Sequence, residues 1–167
     1  TSDLRELNIR VKFDGRDTLR PGAKFAQHEL QGVPLRIAIG PKDLENETVE
    51  LARRDTFTKE TVILDRINVV VEDLLEEIQE SLFNRALNFR DSHITEVNDF
   101  EEFKKVLETK TGFISAHWDG TADTEQKIKE LTKATIRCIP LDNKKEAGKC
   151  VFTGNPSNQR VLFAKAY

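Results

Sequence analysis

The sequence has little cysteine and no long apolar run. Its 167 residues contain only two cysteines, Cys138 and Cys150, which cannot form a disulfide framework, so a reducing, cytoplasmic location is expected. No apolar stretch approaches the roughly 20 residues that span a bilayer, and residues 1–12 lack the basic-then-apolar layout of a signal peptide. These absences predict an ordered, soluble chain with no membrane partner.

An excess of positive charge is also missing. The chain has 26 Lys and Arg against 29 Asp and Glu, a formal net charge of −3, which excludes a generally basic coat for nucleic acid and gives no indication of DNA binding. A basic site confined to one face remains compatible with this balance.

Hydrophobic periodicity predicts alternating strands and helices in the first part of the chain. Ile9–Phe13 alternates apolar and polar residues, the pattern of a half-buried strand. The other elements predicted there are a helix stump at Ser2–Leu7, a helix from Pro21 to Leu30, strands at Leu35–Ile39 and Thr48–Arg54 paired as a hairpin, and a long amphipathic helix over about Arg66–Asp91.

The second part of the chain has helix-start signals separated by short apolar strands. Asn98 with Glu101, and Asp123 with Gln126, predict the starts of two helices. Predicted strands are Phe113–Trp118, Ile136–Leu141, Lys149–Thr153 and Val161–Tyr167. The expected apolar core comprises Phe113, Trp118, Ile128, Leu131, Ile136, Ile139, Phe152 and Phe163.

Signatures of catalysis and of metal binding are weak. Gly40-Pro41-Lys42 is too short for a phosphate-binding loop, and the three histidines lie far apart with no nucleophile signature beside them. The two cysteines are twelve residues apart, and neither has a second cysteine at zinc-knuckle spacing. We therefore predict no catalytic residue and no metal ligand in this chain.

A cluster of mixed charge near the predicted hairpin is compatible with RNA binding. Arg and Lys bind phosphates, while carboxylates accept hydrogen bonds from base amino groups, a combination that suits unstacked single-stranded bases. An ordinary charged surface accounts for the same residues. They are Lys24, Glu29, Arg36, Lys42, Asp43, Arg53, Arg54 and Lys59.

Several motifs, in order along nearly the whole chain, resemble one family. The first part has Pro21-Gly22-Ala23-Lys24-Phe25, then His28–Ile37, Gly40–Glu45 and Ala52-Arg53-Arg54-Asp55. The second part has Thr135–Pro140, Gly148-Lys149-Cys150 and the ending Val161–Tyr167. Together these motifs are similar to the anticodon-binding and C-terminal domains of archaeal/eukaryotic-type prolyl-tRNA synthetases, a type that also occurs in some bacteria.

The resemblance implies a mixed-sheet α/β anticodon-binding domain followed by a small α/β C-terminal domain. It places the first domain, with a long linking helix, at residues 1–92, and the second at residues 93–167. The family ligates proline to tRNA(Pro) using ATP and Mg, but its catalytic domain, and the first strand and most of the first helix of the anticodon-binding domain, would precede this chain. The implied partners are tRNA(Pro), that N-terminal catalytic domain and a second subunit of a homodimer.

The resemblance also implies site residues. The family's anticodon-recognising positions correspond here to Glu29, Arg36, Lys42, Asp43 and, with a loop of variable length before it, Lys59. The family's terminal tyrosine, here Tyr167, reaches with its carboxylate toward the catalytic domain.

The resemblance also bears on zinc. Members that bind zinc use four thiolates in the C-terminal domain, and only Cys150 matches one of these, Thr153 standing in place of another; we expect no bound zinc. A stand-alone interaction or regulatory domain that reuses the anticodon-binding scaffold is the alternative interpretation of the chain.

Overall fold

The computed structural model describes residues 1–165, which form parts of two compact units. The first unit covers residues 1–86 and the second begins at Leu87. This division lies six residues before the functional boundary predicted at 92/93, which remains a prediction. Among the helices of residues 1–165, none has both the length and the apolar character needed to cross a membrane.

The first unit is built on an antiparallel three-stranded sheet of order β1-β2-β3. A long helix, α4, follows the sheet and continues past the end of the unit. The elements are α1 (Ser2–Glu6), α2 (Pro21–Leu30), β1 (Leu35–Ala38), α3 (Pro41–Glu45), β2 (Thr48–Arg53), β3 (Lys59–Ile63) and α4 (Ile67–Ser92).

Strand alternation gives the sheet one apolar face and one charged face. Val49 and Leu51 of β2 are buried against Leu74 of α4, since residues two apart along a strand share a face. The intervening Glu50 therefore lies on the opposite face, which α4 does not cover. The residues that pack around this core are Leu35, Ile37, Val62, Ile67 and Val70.

In the first unit one predicted strand is absent, and one observed strand is not predicted. Ile9–Phe13 is not a strand, and the Phe13 side chain is 77% exposed. Alternation shows only that a segment could pair, and no strand among residues 1–165 supplies the partner. In contrast, the sequence does not predict β3, because it begins with the polar run Lys59-Glu60-Thr61. Its hydrogen bonds to β2 hold it as a strand although its composition does not favour one.

The second unit is a mixed four-stranded sheet with two helices. Its strand order is β4-β5-β9-β6, with β4 and β5 parallel and the other pairs antiparallel. Its elements are β4 (Ile94–Glu96), α5 (Phe100–Thr109), β5 (Phe113–His117), α6 (Ala122–Thr132), β6 (Ala134–Cys138), the short pair β7 (Gly148–Lys149) and β8 (Pro156–Ser157), and β9 (Arg160–Lys165).

Both helices of the second unit begin one or two residues away from the predicted caps. The N-cap of α5 is Asp99, whose carboxylate accepts a hydrogen bond from the Glu102 N–H at 2.8 Å. The N-cap of α6 is Thr121, whose hydroxyl accepts from the Thr124 N–H at 3.3 Å. Each cap satisfies a helix-end N–H that has no partner within the helix.

Aromatic and aliphatic side chains fill the core of the second unit. Phe103 of α5 is fully buried and meets Phe163 of β9 edge-on, with ring centroids 5.2 Å apart. Of the predicted core, Ile128 and Phe163 are fully buried, and Trp118, Ile136 and Phe152 pack against this core. The prediction is wrong for Phe113, Leu131 and Ile139, which are 38%, 64% and 45% exposed.

A carboxylate joins two turns of the second unit. The Oδ2 atom of Asp119 accepts hydrogen bonds from the Thr124 and Thr153 hydroxyls, both at 2.9 Å, and Oδ1 accepts from the Thr121 hydroxyl at 2.9 Å. Burial raises the pKa of the Asp119 carboxyl, but these hydrogen bonds together lower it below its ordinary value. Neutral hydroxyls that donate to a carboxylate do not form a zinc ligand set, so zinc does not fit here.

We expect Phe103→Ala to destabilise the second unit by about 3–5 kcal/mol, because the cavity adds to the lost burial. Chemical unfolding followed by fluorescence of Trp118, the only tryptophan, measures this loss. The control is Leu131→Ala on α6, whose side chain is 64% exposed and should change stability by less than about 1 kcal/mol. Equal losses in the two variants would contradict the packing described.

We expect Asp119→Asn to reduce the stability of the second unit at neutral pH by about 2 kcal/mol. Because the folded pKa of Asp119 is lowered, its contribution is complete above the unfolded pKa, near pH 4, and is lost as pH falls through the folded value. Unfolding measured across pH should therefore show the two proteins converging below about pH 4. Asp123→Asn, in the first turn of α6, is the control: its carboxylate accepts none of the threonine hydrogen bonds to Asp119, so it should cost less stability at neutral pH.

Candidate nucleic-acid interface

The charged face of the first sheet aligns two of the predicted site residues. Arg36 on β1 pairs with Ala52 on β2, and Ala52 pairs with Lys59 on β3, so the three residues form one row across the sheet. Glu50 is two residues from Ala52 on the same face. The small Ala52 side chain lets the two long cationic side chains lean toward Glu50.

Glu50 connects these two cations. Its Oε1 atom lies 3.6 Å from Nη2 of Arg36 and 3.2 Å from Nζ of Lys59. The Arg36 side chain is 15% exposed, whereas that of Lys59 is 56% exposed. The Arg36 side chain is therefore mostly buried at this surface, whereas the Lys59 side chain extends into solvent.

The ring of Phe25, on α2, covers one side of the Arg36 guanidinium. The Cζ atom of Arg36 lies 3.5 Å from the ring centroid, a cation–π contact worth about 2 kcal/mol when desolvated. The Nε atom of Arg36 is buried without a hydrogen-bond partner among residues 1–165, which costs about 1–3 kcal/mol. The stacking contact offsets that cost.

Glu29 lies one turn after Phe25 on α2. Residues at this spacing share a helix face, and the Glu29 side chain is exposed. The backbone carbonyl of Glu29 accepts a hydrogen bond from Nε of Arg54 at 2.7 Å. That bond fastens the C-terminal turn of α2 to the end of β2.

Lys42 and Asp43 lie on the short helix α3, between β1 and β2. Oδ2 of Asp43 accepts a hydrogen bond from the backbone N–H of Gly40 at 2.8 Å, which caps the helix and leaves Oδ1 for a further donor. Lys42 is exposed. The structure therefore brings Arg36 and Lys59 together through Glu50, while no hydrogen bond or ion pair among the described residues joins Glu29, Lys42 or Asp43 to them.

Phe25 and Glu50 are the residues that sequence reasoning missed. Phe25 belongs to a recognised motif, but nothing in that motif indicates its contact with a strand. The signal for Glu50 is the alternation of Thr48–Arg53, which places it on the polar face. Its contact with Arg36 depends on the strand register, which the sequence pattern does not fix.

The loop before α2 is attached to the helix by charge. Asp14 Oδ2 lies 2.6 Å from Nη2 of Arg16 and 2.9 Å from Nε2 of His28. The hydrogen bond from Arg16, and then that from His28, hold the pKa of the Asp14 carboxyl well below its usual range. Asp14 is therefore ionised at neutral pH and positions the loop beside the helix that carries Phe25.

His117 has contacts that superficially resemble a hydrolytic triad. Its Nδ1 atom lies 3.1 Å from the hydroxyl of Ser157, and its Nε2 atom lies 3.4 Å from Glu146. Ser157 is buried and donates its proton to the Gln159 carbonyl at 2.9 Å. A hydrolytic triad directs Nε2 at the serine instead, so these contacts link β5 to β8 and to the loop before β7.

Two further predictions concern metal ions and the C-terminus. Cys150 is buried and Cys138 is exposed, and within residues 1–165 no three His, Cys, Asp or Glu side chains are grouped to hold a metal ion. Tyr167, predicted to approach a catalytic domain, lies outside the described residues.

The comparisons with known proteins agree with this architecture. Residues 1–81 match a family model described as an anticodon binding domain. Residues 100–167 match a model described as the C-terminal part of prolyl-tRNA synthetase. These two matches confirm the predicted fold class, an α/β anticodon-binding domain followed by a C-terminal domain.

Several relatives are named proline–tRNA ligase. A Flavobacterium johnsoniae protein is 68% identical over 167 residues, covering 100% of this chain and 34% of the relative. A Christiangramia forsetii protein is 64% identical over 165 residues, covering 99% of this chain and 34% of the relative. A Porphyromonas gingivalis protein is 56% identical over 167 residues, again 100% of this chain and 34% of the relative.

The chain thus spans about a third of the length of these curated relatives. All three are bacterial, so they do not support the archaeal/eukaryotic type expected from the sequence motifs. Both model matches and these relatives confirm that the chain corresponds to the C-terminal region of prolyl-tRNA synthetase, an anticodon-binding domain followed by the C-terminal domain.

Proposed function

We propose that this chain recognises the anticodon of tRNA(Pro) as the C-terminal third of a proline–tRNA ligase. The observation that carries the proposal is the charged sheet face on which Glu50 joins Arg36 and Lys59. This face belongs to the region matched by the anticodon-binding model. It combines donors and acceptors in the way that unstacked bases require.

The proposed recognition follows from the chemistry of guanine. Proline anticodons end in two guanines, whose O6 and N7 atoms accept hydrogen bonds and whose N1–H and N2–H₂ groups donate them. A guanidinium such as that of Arg36 is suited to O6 and N7, and carboxylates such as Glu29 and Asp43 are suited to the donors. Lys42 and Lys59 complete the proposed site by binding phosphates or base oxygens.

The rest of the proposed ligase supplies the chemistry. We assign residues 1–92 to anticodon binding with the linking helix, and residues 93–167 to support of the enzyme. Activation of proline with ATP and Mg would take place in an N-terminal catalytic domain, in a homodimeric, cytoplasmic enzyme. The archaeal/eukaryotic type remains part of the proposal, because its C-terminal domain follows the anticodon-binding domain, as here.

The reading frame upstream of Thr1 provides the first test. A catalytic domain of a class II synthetase in frame before this residue supports the proposed ligase. A stop codon there would overturn it in favour of a stand-alone interaction domain that reuses the scaffold.

We expect Arg36→Ala to weaken binding of tRNA(Pro) to the complete ligase by about 1–3 kcal/mol. Proline adenylation should stay nearly unchanged, because the substituted side chain reads only the anticodon. Equilibrium binding at one fixed salt concentration measures the effect for tRNA(Pro) and for a variant in which adenine replaces the two anticodon guanines. The salt must be fixed because non-specific affinity varies steeply with it.

Arg85→Ala is the matched control for this experiment. Arg85 is exposed on α4, the helix that packs on the apolar face of the sheet, so its loss should change both affinities by the same factor. If Arg36→Ala left the preference for guanine intact, Arg36 would not be the base-reading residue.

Tyr167 provides a separate test of communication with the catalytic domain. The family resemblance implies that Tyr167 approaches the catalytic domain, so deletion of Tyr167 should slow proline adenylation. Anticodon affinity should not change. Pyrophosphate exchange measures the first quantity and tRNA binding the second; adenylation at the undeleted rate would contradict this role.

A further inference from the structure

The orientation of the Arg36 guanidinium is set by two side chains. The Phe25 ring lies 3.5 Å from Cζ and fixes the plane of the group. Glu50 lies 3.6 Å from Nη2, which is an ion pair beyond hydrogen-bond length. The buried Nε has no partner among residues 1–165, so stacking and charge attraction define how Arg36 is held.

We propose that Phe25 and Glu50 are positioning residues for guanine discrimination, a proposal that rests on the proposed function. A guanidinium that reads O6 and N7 must present two N–H groups in the plane of the base. Stacking on Phe25 restricts rotation of the planar group, because a tilt would separate it from the ring. Arg36 is thereby oriented before RNA arrives, which reduces the ordering that binding must supply.

Glu50 adds selectivity through its charge. Arg36 and Lys59 alone would attract any phosphate, and phosphate contacts carry no sequence information. A carboxylate between them reduces that attraction and also directs both donors. Neutralising Glu50 should therefore weaken the preference for guanine without weakening the binding of the adenine-substituted tRNA.

The test measures binding of the complete ligase to tRNA(Pro) and to the adenine-substituted variant at one fixed salt concentration. We expect Phe25→Leu and Glu50→Gln each to reduce the ratio of the two affinities by about three- to tenfold. Phe25→Tyr, which keeps the ring, should retain the ratio. In Glu50→Gln, affinity for the substituted tRNA should rise or stay equal, whereas simple unfolding would lower both affinities together.

Matched controls come from the same unit. Phe83→Leu removes a ring from α4 that is 61% exposed, and Glu60→Gln neutralises an exposed carboxylate on β3 that alternates to the other face of the sheet. Neither should change the ratio. A fall of the same size in either control would overturn the proposal.

A double-substitution cycle separates this inference from the proposed function. If Arg36→Ala leaves the ratio unchanged, the base-reading role that the proposed function assigns to Arg36 fails. If Arg36→Ala lowers the ratio but Phe25→Leu and Glu50→Gln do not, only the positioning role fails. Because Phe25 acts through Arg36, Phe25→Leu combined with Arg36→Ala should lose no more than Arg36→Ala alone; an additive loss would contradict the inference.

Discussion

A guanidinium lying almost out of solvent is the constraint around which the first unit is arranged. Arg36 has a buried Nε that finds no partner in the described part of the chain, and removal of a charged group from water is unfavourable unless something replaces the solvent. The Phe25 ring and the Glu50 carboxylate do so from two different elements. Both the placement of α2 against the sheet and the register of β1 with β2 are therefore tied to the environment of one side chain.

The second unit is stabilised by an aromatic core and by hydrogen bonds to one carboxylate. Its interior is closely packed and aromatic, with Phe103 and Phe163 in edge-on contact. At its surface the Asp119 carboxylate joins the start of α6 to the turn that contains Thr153. Hydrogen bonds between hydroxyl and carboxylate groups therefore hold this turn against the start of α6.

Local patterns were sufficient for the helices α2 and α4, but not for the contacts between elements. The periodicity of α4 and the Pro21 start of α2 are properties of the segments themselves, so the sequence predicted both helices to within a residue or two. Ile9–Phe13 had the right alternation but no partner, and Lys59–Ile63 had a partner but a polar start. The family motifs identified Arg36 as a site residue. Its contact with Phe25 is a tertiary contact between α2 and β1, which no local sequence pattern specifies.

The hydrogen bonds at Asp119 differ in chemistry from the ligands of a zinc site. Thiolate ligands must be deprotonated and reduced to hold zinc, and metal binding is coupled to folding in domains that depend on it. A carboxylate that accepts from threonine hydroxyls has no redox chemistry and requires no supply of metal. The hydrogen bonds to Asp119 therefore contain nothing that a chelator could remove or peroxide could oxidise, in contrast to four thiolates that hold zinc.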